Sequence, residues 1–163
     1  MQKILSLLLL TVSLCFLSCF KKDTGCSYQN DTTLAPSAET QAVKNYLDSV
    51  GITATLHLGG FYYYVISSGS GNPPGVCSSV TVSYNGKLIN GSVFDQQTDA
   101  LFTLGGLIPG WKQGLPLISK GGEIKLFIPP SLGYGSVPVY DNGVIVIPAN
   151  SILIFDIHLV NVQ

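Results

Sequence analysis

The chain has 163 residues, of which 46% are hydrophobic and only 10% charged, with a formal net charge of −1. That length suits one domain with appendages, and the apolar share supplies a core that a disordered chain lacks. No basic stripe is present beyond Lys21-Lys22, which excludes nucleic acid as a partner.

Residues 1–18, "MQKILSLLLLTVSLCFLS", are one lysine followed by an apolar run. The run is shorter than the ~20 residues a membrane-spanning helix needs and sits where a signal peptide would. Ser18 before Cys19 resembles a bacterial lipobox, although Phe16 stands where leucine is usual. The expectation is a lipoprotein signal over 1–18, acylation at Cys19 and a lipid anchor in the bacterial cell envelope, on the periplasmic side or outer membrane. An ordinary secretory signal or a short uncleaved anchor is the alternative. Several acyl chains hold a protein firmly to a bilayer, whereas one does not. Of the remaining cysteines, Cys15 lies in the signal, which leaves Cys26 and Cys77. In an oxidising compartment their pairing is the default, with two free thiols as the alternative. No CxxC or Cys/His spacing points to a metal.

Residues 19–36 are polar and without period, as a flexible tether would be. "SAETQAVKNYLDSVG", 37–51, predicts a helix in which Ser37 caps and Glu39 sits in the first turn. Ala42, Val43, Tyr46, Leu47 and Val50 share one face, and Gly51 ends it. With its connection this extension spans 37–60; it could dock on the domain, lengthen it or mediate dimers.

Residues 61–163 form the main domain and are rich in strand signals. "FYYYVIS" reads as a strand, and "SGSGNPPG" is a turn and not a nucleotide loop, because Pro73 and Pro74 stand where a phosphate-binding helix would begin. Asn90-Gly91 predicts a hairpin. A short helix starts at Pro109 and is ended by Pro116. "EIKLFI" alternates, and "SILIFDIHLVNV" puts Leu153, Phe155, Ile157 and Leu159 on one face. The fold class is α+β: an antiparallel sheet curled around one short helix, with an N-terminal helical extension. Trp111, the only tryptophan, rides on that helix and so belongs at the centre.

Polar chemistry is sparse. His57 and His158 sit in no hydrolase motif, Cys26 and Cys77 lack the setting of a thiol nucleophile, and the nine acids are scattered. Any site is apolar, and no cofactor or metal is expected.

Four segments then settle the comparison with known families. "VTVSYNGKLINGSVFDQ", "FTLGGLIPGW", "GGEIKLFIPPSLGYG" and "VIPANSILIFDIHLVNV" follow one another in order. Together residues 80–163 resemble the FK506-binding-protein class of peptidyl-prolyl cis–trans isomerases, including its bacterial lipoprotein members. The resemblance implies an X-Pro pocket floored by Trp111. Tyr84, Phe94, Phe102, Ile147 and Phe155 would be its walls, and Leu107 and Ile108 its rim. The Ile108 N–H and the Tyr134 hydroxyl would serve the bound peptide, with Asp95 at the edge. It implies proline-containing polypeptides as partners and macrolide inhibitor binding. Ala100 departs from an aromatic common in the family, and the longer loop over 135–146 suggests that Tyr140 covers the pocket. The alternative is a non-catalytic peptide-binding or chaperone module on the same fold. A purely structural β-rich surface lipoprotein leaves the four ordered segments unexplained.

Overall fold

The structure, a computed structural model, describes residues 25–163; the expected signal segment over 1–18, with Cys15, and the expected acylation site Cys19 lie outside the described residues. A six-stranded antiparallel sheet runs in the order β1 (Thr55–Leu56), β2 (Tyr62–Ser67), β5 (Gly122–Ile128), β8 (Leu153–Val162), β3 (Ser79–Leu88), β4 (Val93–Thr103). Successive strand side chains point to opposite faces, so each strand sends one set of residues to each side. On one face Ile124, Leu126, Ile128, Leu153, Phe155, Ile157 and Leu159 meet Trp111 of α2 (Pro109–Gly114). On the other, Tyr62, Phe127 and Ile154 meet Val43 and Leu47 of α1 (Ser37–Ser49). The sheet is therefore covered on both faces, and the N-terminal helix is a packing layer against it.

α1 departs from expectation at its start. Pro36 is the capping residue, with no side-chain cap bond, and Ser37 is already helical, so its hydroxyl cannot cap. The Pro36 carbonyl accepts from the Glu39 and Thr40 amides instead. The Glu39 carboxylate reaches out to accept the Ser131 N–H at 2.8 Å. At the other end Gly51 takes φ +70°, and Ile52 N–H donates to the Leu47 carbonyl at 2.9 Å, a Schellman closure that favours glycine. Ala42 and Val50 of the expected face remain exposed. Leu47 is 2% exposed, so Leu47→Ala is expected to cost about 2–5 kcal/mol. Denaturant titration would read this as a lower midpoint with an unchanged slope, and α1 would not be a packing layer if the midpoint stayed put.

α2 explains why a tryptophan follows Pro109-Gly110. Gly110 and Gly114 lie one helical turn apart and face β5. A Cβ at Gly110 would stand 2.6 Å from Ile128 Cδ1, and one at Gly114 would stand 2.8 Å from Leu126 Cδ1. The bare backbone thus approaches the strand closely enough to set Trp111 into the core. Pro116 does not end the helix; α2 has already given way to a 3-10 turn over Leu115–Leu117 that contains it.

The N-terminal stretch also differs from the expected tether. From Cys26 to Ala35 it has no helix or strand, yet it is held against the domain. Cys26 and Cys77 are joined by a disulfide with their Cα atoms 5.7 Å apart, and Ala35 N–H donates to the Gly59 carbonyl at 2.9 Å. Asp31 pairs with Lys112 at 2.5 Å. Burial works against the Asp31 charge, but hydrogen bonds from Lys112, Thr33 and Gln113 outweigh it and hold its pKa at about 2. The folded value lies below the ordinary 3.8, so the stability Asp31 adds is present above pH 3.8 and is lost as pH falls through about 2.

The two outer strands of the sheet are not equivalent. β1 has only two residues, while β4 has eleven and is broken by two bulges. Between the pairs Val82–Ala100 and Tyr84–Gln97, β4 carries one extra residue, with Asp99 at φ +53° and its N–H donating to Ser83 Oγ. Between Gly86–Asp95 and Lys87–Val93 the extra residue is Phe94.

The 135–146 loop is largely a second hairpin, β6 (Val139–Asp141) and β7 (Val144–Ile147). Asn142 and Gly143 turn it with φ of +47° and +81°, the signature of a two-residue type I′ loop. Tyr140 points outward, 59% exposed, and does not cover the pocket. Among the described residues, no helix is long and apolar enough to cross a membrane, and no cluster of His, Cys, Asp and Glu could hold a metal.

Candidate active site

A cavity of about 150 Å³ opens beside α2, lined by Tyr84, Asp95, Phe102, Leu107, Ile108, Trp111, Tyr134 and Phe155. Three strands and two connecting segments converge on it. β3 supplies Tyr84, β4 supplies Asp95 and Phe102, and β8 supplies Phe155. Leu107 and Ile108 come from the link between the 3-10 turn Leu104–Gly106 and α2, and Tyr134 follows the 3-10 turn Pro130–Leu132.

Trp111 is 4% exposed, and three rings meet it edge to face. Its centroid lies 5.1 Å from Phe155, 5.2 Å from Tyr84 and 6.3 Å from Phe102, with interplanar angles of 87–88°. Each such pair adds about 0.5–1.5 kcal/mol beyond the area it buries, so the floor is a fixed surface. The indole N–H has no partner among the described residues.

Eight of the ten expected pocket residues are therefore brought together, and two are not. Phe94 stands behind the wall, edge-on to Phe155 at 5.5 Å. It reaches that position as the extra residue of the second β4 bulge. Gly86 makes room for it, since a Cβ there would lie 2.7 Å from the Phe94 ring and 2.9 Å from that of Phe155. Ile147 is 3% exposed, turned into the core from the end of β7.

The polar groups lie around the mouth. The Tyr84 hydroxyl donates to Asp95 Oδ2 at 2.5 Å, a contact across the hairpin that no local sequence pattern announces. Burial first, then the bond to Asp95 and its charge, push the Tyr84 phenol well above its ordinary value. Burial and the charge of Asp95 likewise raise Tyr134, which remains 44% exposed at the rim. Both phenols stay protonated at neutral pH and can donate. The Ile108 N–H, just ahead of α2, is paired with no acceptor among the described residues. The mouth thus offers donors above an apolar floor, and no nucleophile.

The histidines take no part. His57 stacks on Phe61 at 4.4 Å, and its Nδ1 accepts the Gly59 N–H at 3.0 Å, so it shapes the turn into β2; burial lowers its pKa. His158 is exposed on β8.

Comparison with known proteins agrees with this geometry. Residues 72–160, more than half of the chain, match the model of the FKBP-type peptidyl-prolyl cis-trans isomerase family. The FKBP-type peptidyl-prolyl cis-trans isomerase FkpA of Escherichia coli K12 is 44% identical over 108 residues, which cover 64% of this chain and 38% of the relative. The chain thus spans about two fifths of the length of the curated relatives it matches first. The crystal structure of FkpA from Escherichia coli superposes with a TM-score of 0.66 at 39% identity, covering 78% of this chain and 61% of that one. A peptidyl-prolyl cis-trans isomerase from Pseudomonas syringae pv. tomato gives 0.66 at 28% identity, covering 80% of this chain and 98% of that one. The chain belongs to the FKBP-type peptidyl-prolyl cis-trans isomerases.

Proposed function

We propose that this chain catalyses rotation about X-Pro peptide bonds, using the cavity floored by Trp111, and that it assists the folding of exported proteins. The observation that carries the reading is a buried aromatic floor under a rim where the Ile108 N–H and the Tyr134 hydroxyl stand as donors. A peptide bond resists rotation by ~18–20 kcal/mol because its resonance makes C–N partly double. The planar form is charge-separated and favoured by water, whereas the twisted transition state is less polar. Bringing the bond onto the Trp111 floor, in a ring of Tyr84, Phe102 and Phe155, removes water from the planar form more than it penalises the twisted one. In this reading the Ile108 N–H and the Tyr134 hydroxyl donate hydrogen bonds to the substrate's carbonyls, fixing the rotated geometry. Leu107 lines the rim, and Asp95 orients Tyr84 through their hydrogen bond. Uncatalysed X-Pro exchange takes tens of seconds, so acceleration there is useful to a folding chain.

A cis–trans exchange assay on short X-Pro peptides, run with the full chain in mild detergent, tests this. Acceleration that tacrolimus inhibits and Tyr134→Phe weakens supports the isomerase. Peptide binding without acceleration would instead make the domain a holder of proline-containing segments. Because both pocket phenols are raised, the rate constant kcat/KM is expected to be flat between about pH 6 and 9. A bell-shaped profile in that window would reveal a titrating catalytic group and sink the desolvation mechanism.

The address of the protein forms the second part of the reading. Ser18-Cys19 after an apolar run supports lipid attachment at Cys19 in a bacterial envelope, with residues 1–18 removed. The isomerase domain then comprises residues 61–163, with 37–60 as its helical extension and the stretch after Cys19 linking it to the membrane. Cys19→Ala should move the protein from the membrane fraction to the soluble one; unchanged fractionation would point to an uncleaved anchor.

A further inference from the structure

α2 carries the pocket floor, yet it is only six residues long, too short to hold itself in place. Against β5 it presents the bare Gly110 and Gly114, a face with no side chains to interlock. Lys112 and Gln113, directly after Trp111, instead turn to the N-terminal strap over 26–35. Asp31 Oδ2 meets Lys112 Nζ at 2.5 Å, and Asp31 Oδ1 accepts from Gln113 Nε2 at 3.2 Å and from the Thr33 N–H at 2.9 Å. Gln113 Nε2 also donates to the Thr33 carbonyl at 2.9 Å. The Asp31 side chain is only 8% exposed, unlike the solvated pairs whose contribution is small. A second grip lies upstream, where the Tyr28 ring covers Gly105 so closely that a Cβ there would collide with it. The two grips bracket the segment that carries Leu107, Ile108 and Trp111, and the strap itself is fastened by the disulfide and the Ala35–Gly59 bond.

We propose that Asp31 is a positioning residue for isomerisation: by holding Lys112 and Gln113 it seats α2, and with it Trp111 and the Ile108 N–H. It touches no substrate. The proposal rests on the cavity being the isomerase site. A pair serving stability alone would leave the catalytic constants of the folded protein unchanged, and the test is built on that difference.

Asp31→Ala, Lys112→Met and the double variant are compared with the full wild-type chain, well below each melting temperature. The readouts are kcat/KM on an X-Pro peptide and acrylamide quenching of Trp111, which as the sole tryptophan reports on its own seat. Each single variant is expected to lower kcat/KM roughly 3- to 10-fold, since small misplacements of binding groups cost rate. Trp111 should become more quenchable, and the double variant should be no worse than either single. Asp31→Glu, which keeps the charge, should recover most of the loss, and Lys112→Met carries the test if Asp31→Ala fails to fold. Wild-type kcat/KM and quenching in folded single variants, with only the melting temperature lowered, would overturn the proposal. A wild type without isomerase activity sinks the functional reading, and quenching then decides alone whether Asp31 seats α2.

Discussion

Trp111→Ala is expected to lower kcat/KM for X-Pro isomerisation by about 100-fold or more while costing about 3–5 kcal/mol of stability. Both effects follow from the same geometry. The indole is 4% exposed and meets Tyr84, Phe102 and Phe155 edge-on, so its removal leaves three rings without a common surface. The rings can collapse only partly, because Tyr84 is tied to Asp95 and Phe155 is backed by Phe94. What remains is a wetter cavity in which the planar peptide bond keeps its hydration. Trp111→Phe keeps an aromatic floor and leaves a smaller cavity, so it should retain more activity and lose less stability than the alanine variant. Equal activity in wild type and Trp111→Ala would remove the cavity from the mechanism altogether.

Reduction of the Cys26–Cys77 disulfide is the second large expectation. The two residues are 51 apart in sequence, and the loop-entropy model assigns a bridge of that span about 4 kcal/mol. The bridge also anchors one end of the strap, so its loss frees the stretch that holds Lys112 and Gln113. Chemical denaturation with and without reductant, beside the Cys26→Ser/Cys77→Ser variant, measures the effect. The expected result is a midpoint lowered in parallel in both cases. If the reduced protein unfolds at the oxidised midpoint, the strap is held by its polar contacts alone.

The residues that made the site legible in sequence are those whose spacing is local. Gly110 before Trp111, the alternation of Leu153, Phe155, Ile157 and Leu159, and the Asn90-Gly91 turn each specify a backbone shape within a few positions. The ordered segments around them then carry the likeness to a known family. Asn142-Gly143 carried the same kind of signal as Asn90-Gly91, and its hairpin was equally available to a reading of turn chemistry. Phe94 was harder, because a bulge reverses the side to which a strand residue points, and bulges leave little mark on composition. Asp31 was beyond reach: its bond to Gln113 spans 82 residues, and a polar stretch that packs looks in sequence like one that does not. Ser37 and Pro36 show a related limit, since the cap is decided by which residue first takes helical backbone angles.

The bulges of β4 have a meaning beyond their placement of Phe94. In the proposed folding role, this domain works among unfinished chains that are searching for a sheet to join. An outer strand of eleven flat residues beside the binding pocket would offer them one, and a substrate zipped onto it would not leave. Two interruptions in the ladder, an aspartate in the left-handed conformation and a run of exposed polar residues from Asp95 to Asp99 spoil that template, while the opposite border is only two residues long. On the proposed function, the domain can therefore hold a partly folded client by its proline and let it go, without becoming the seed on which it aggregates.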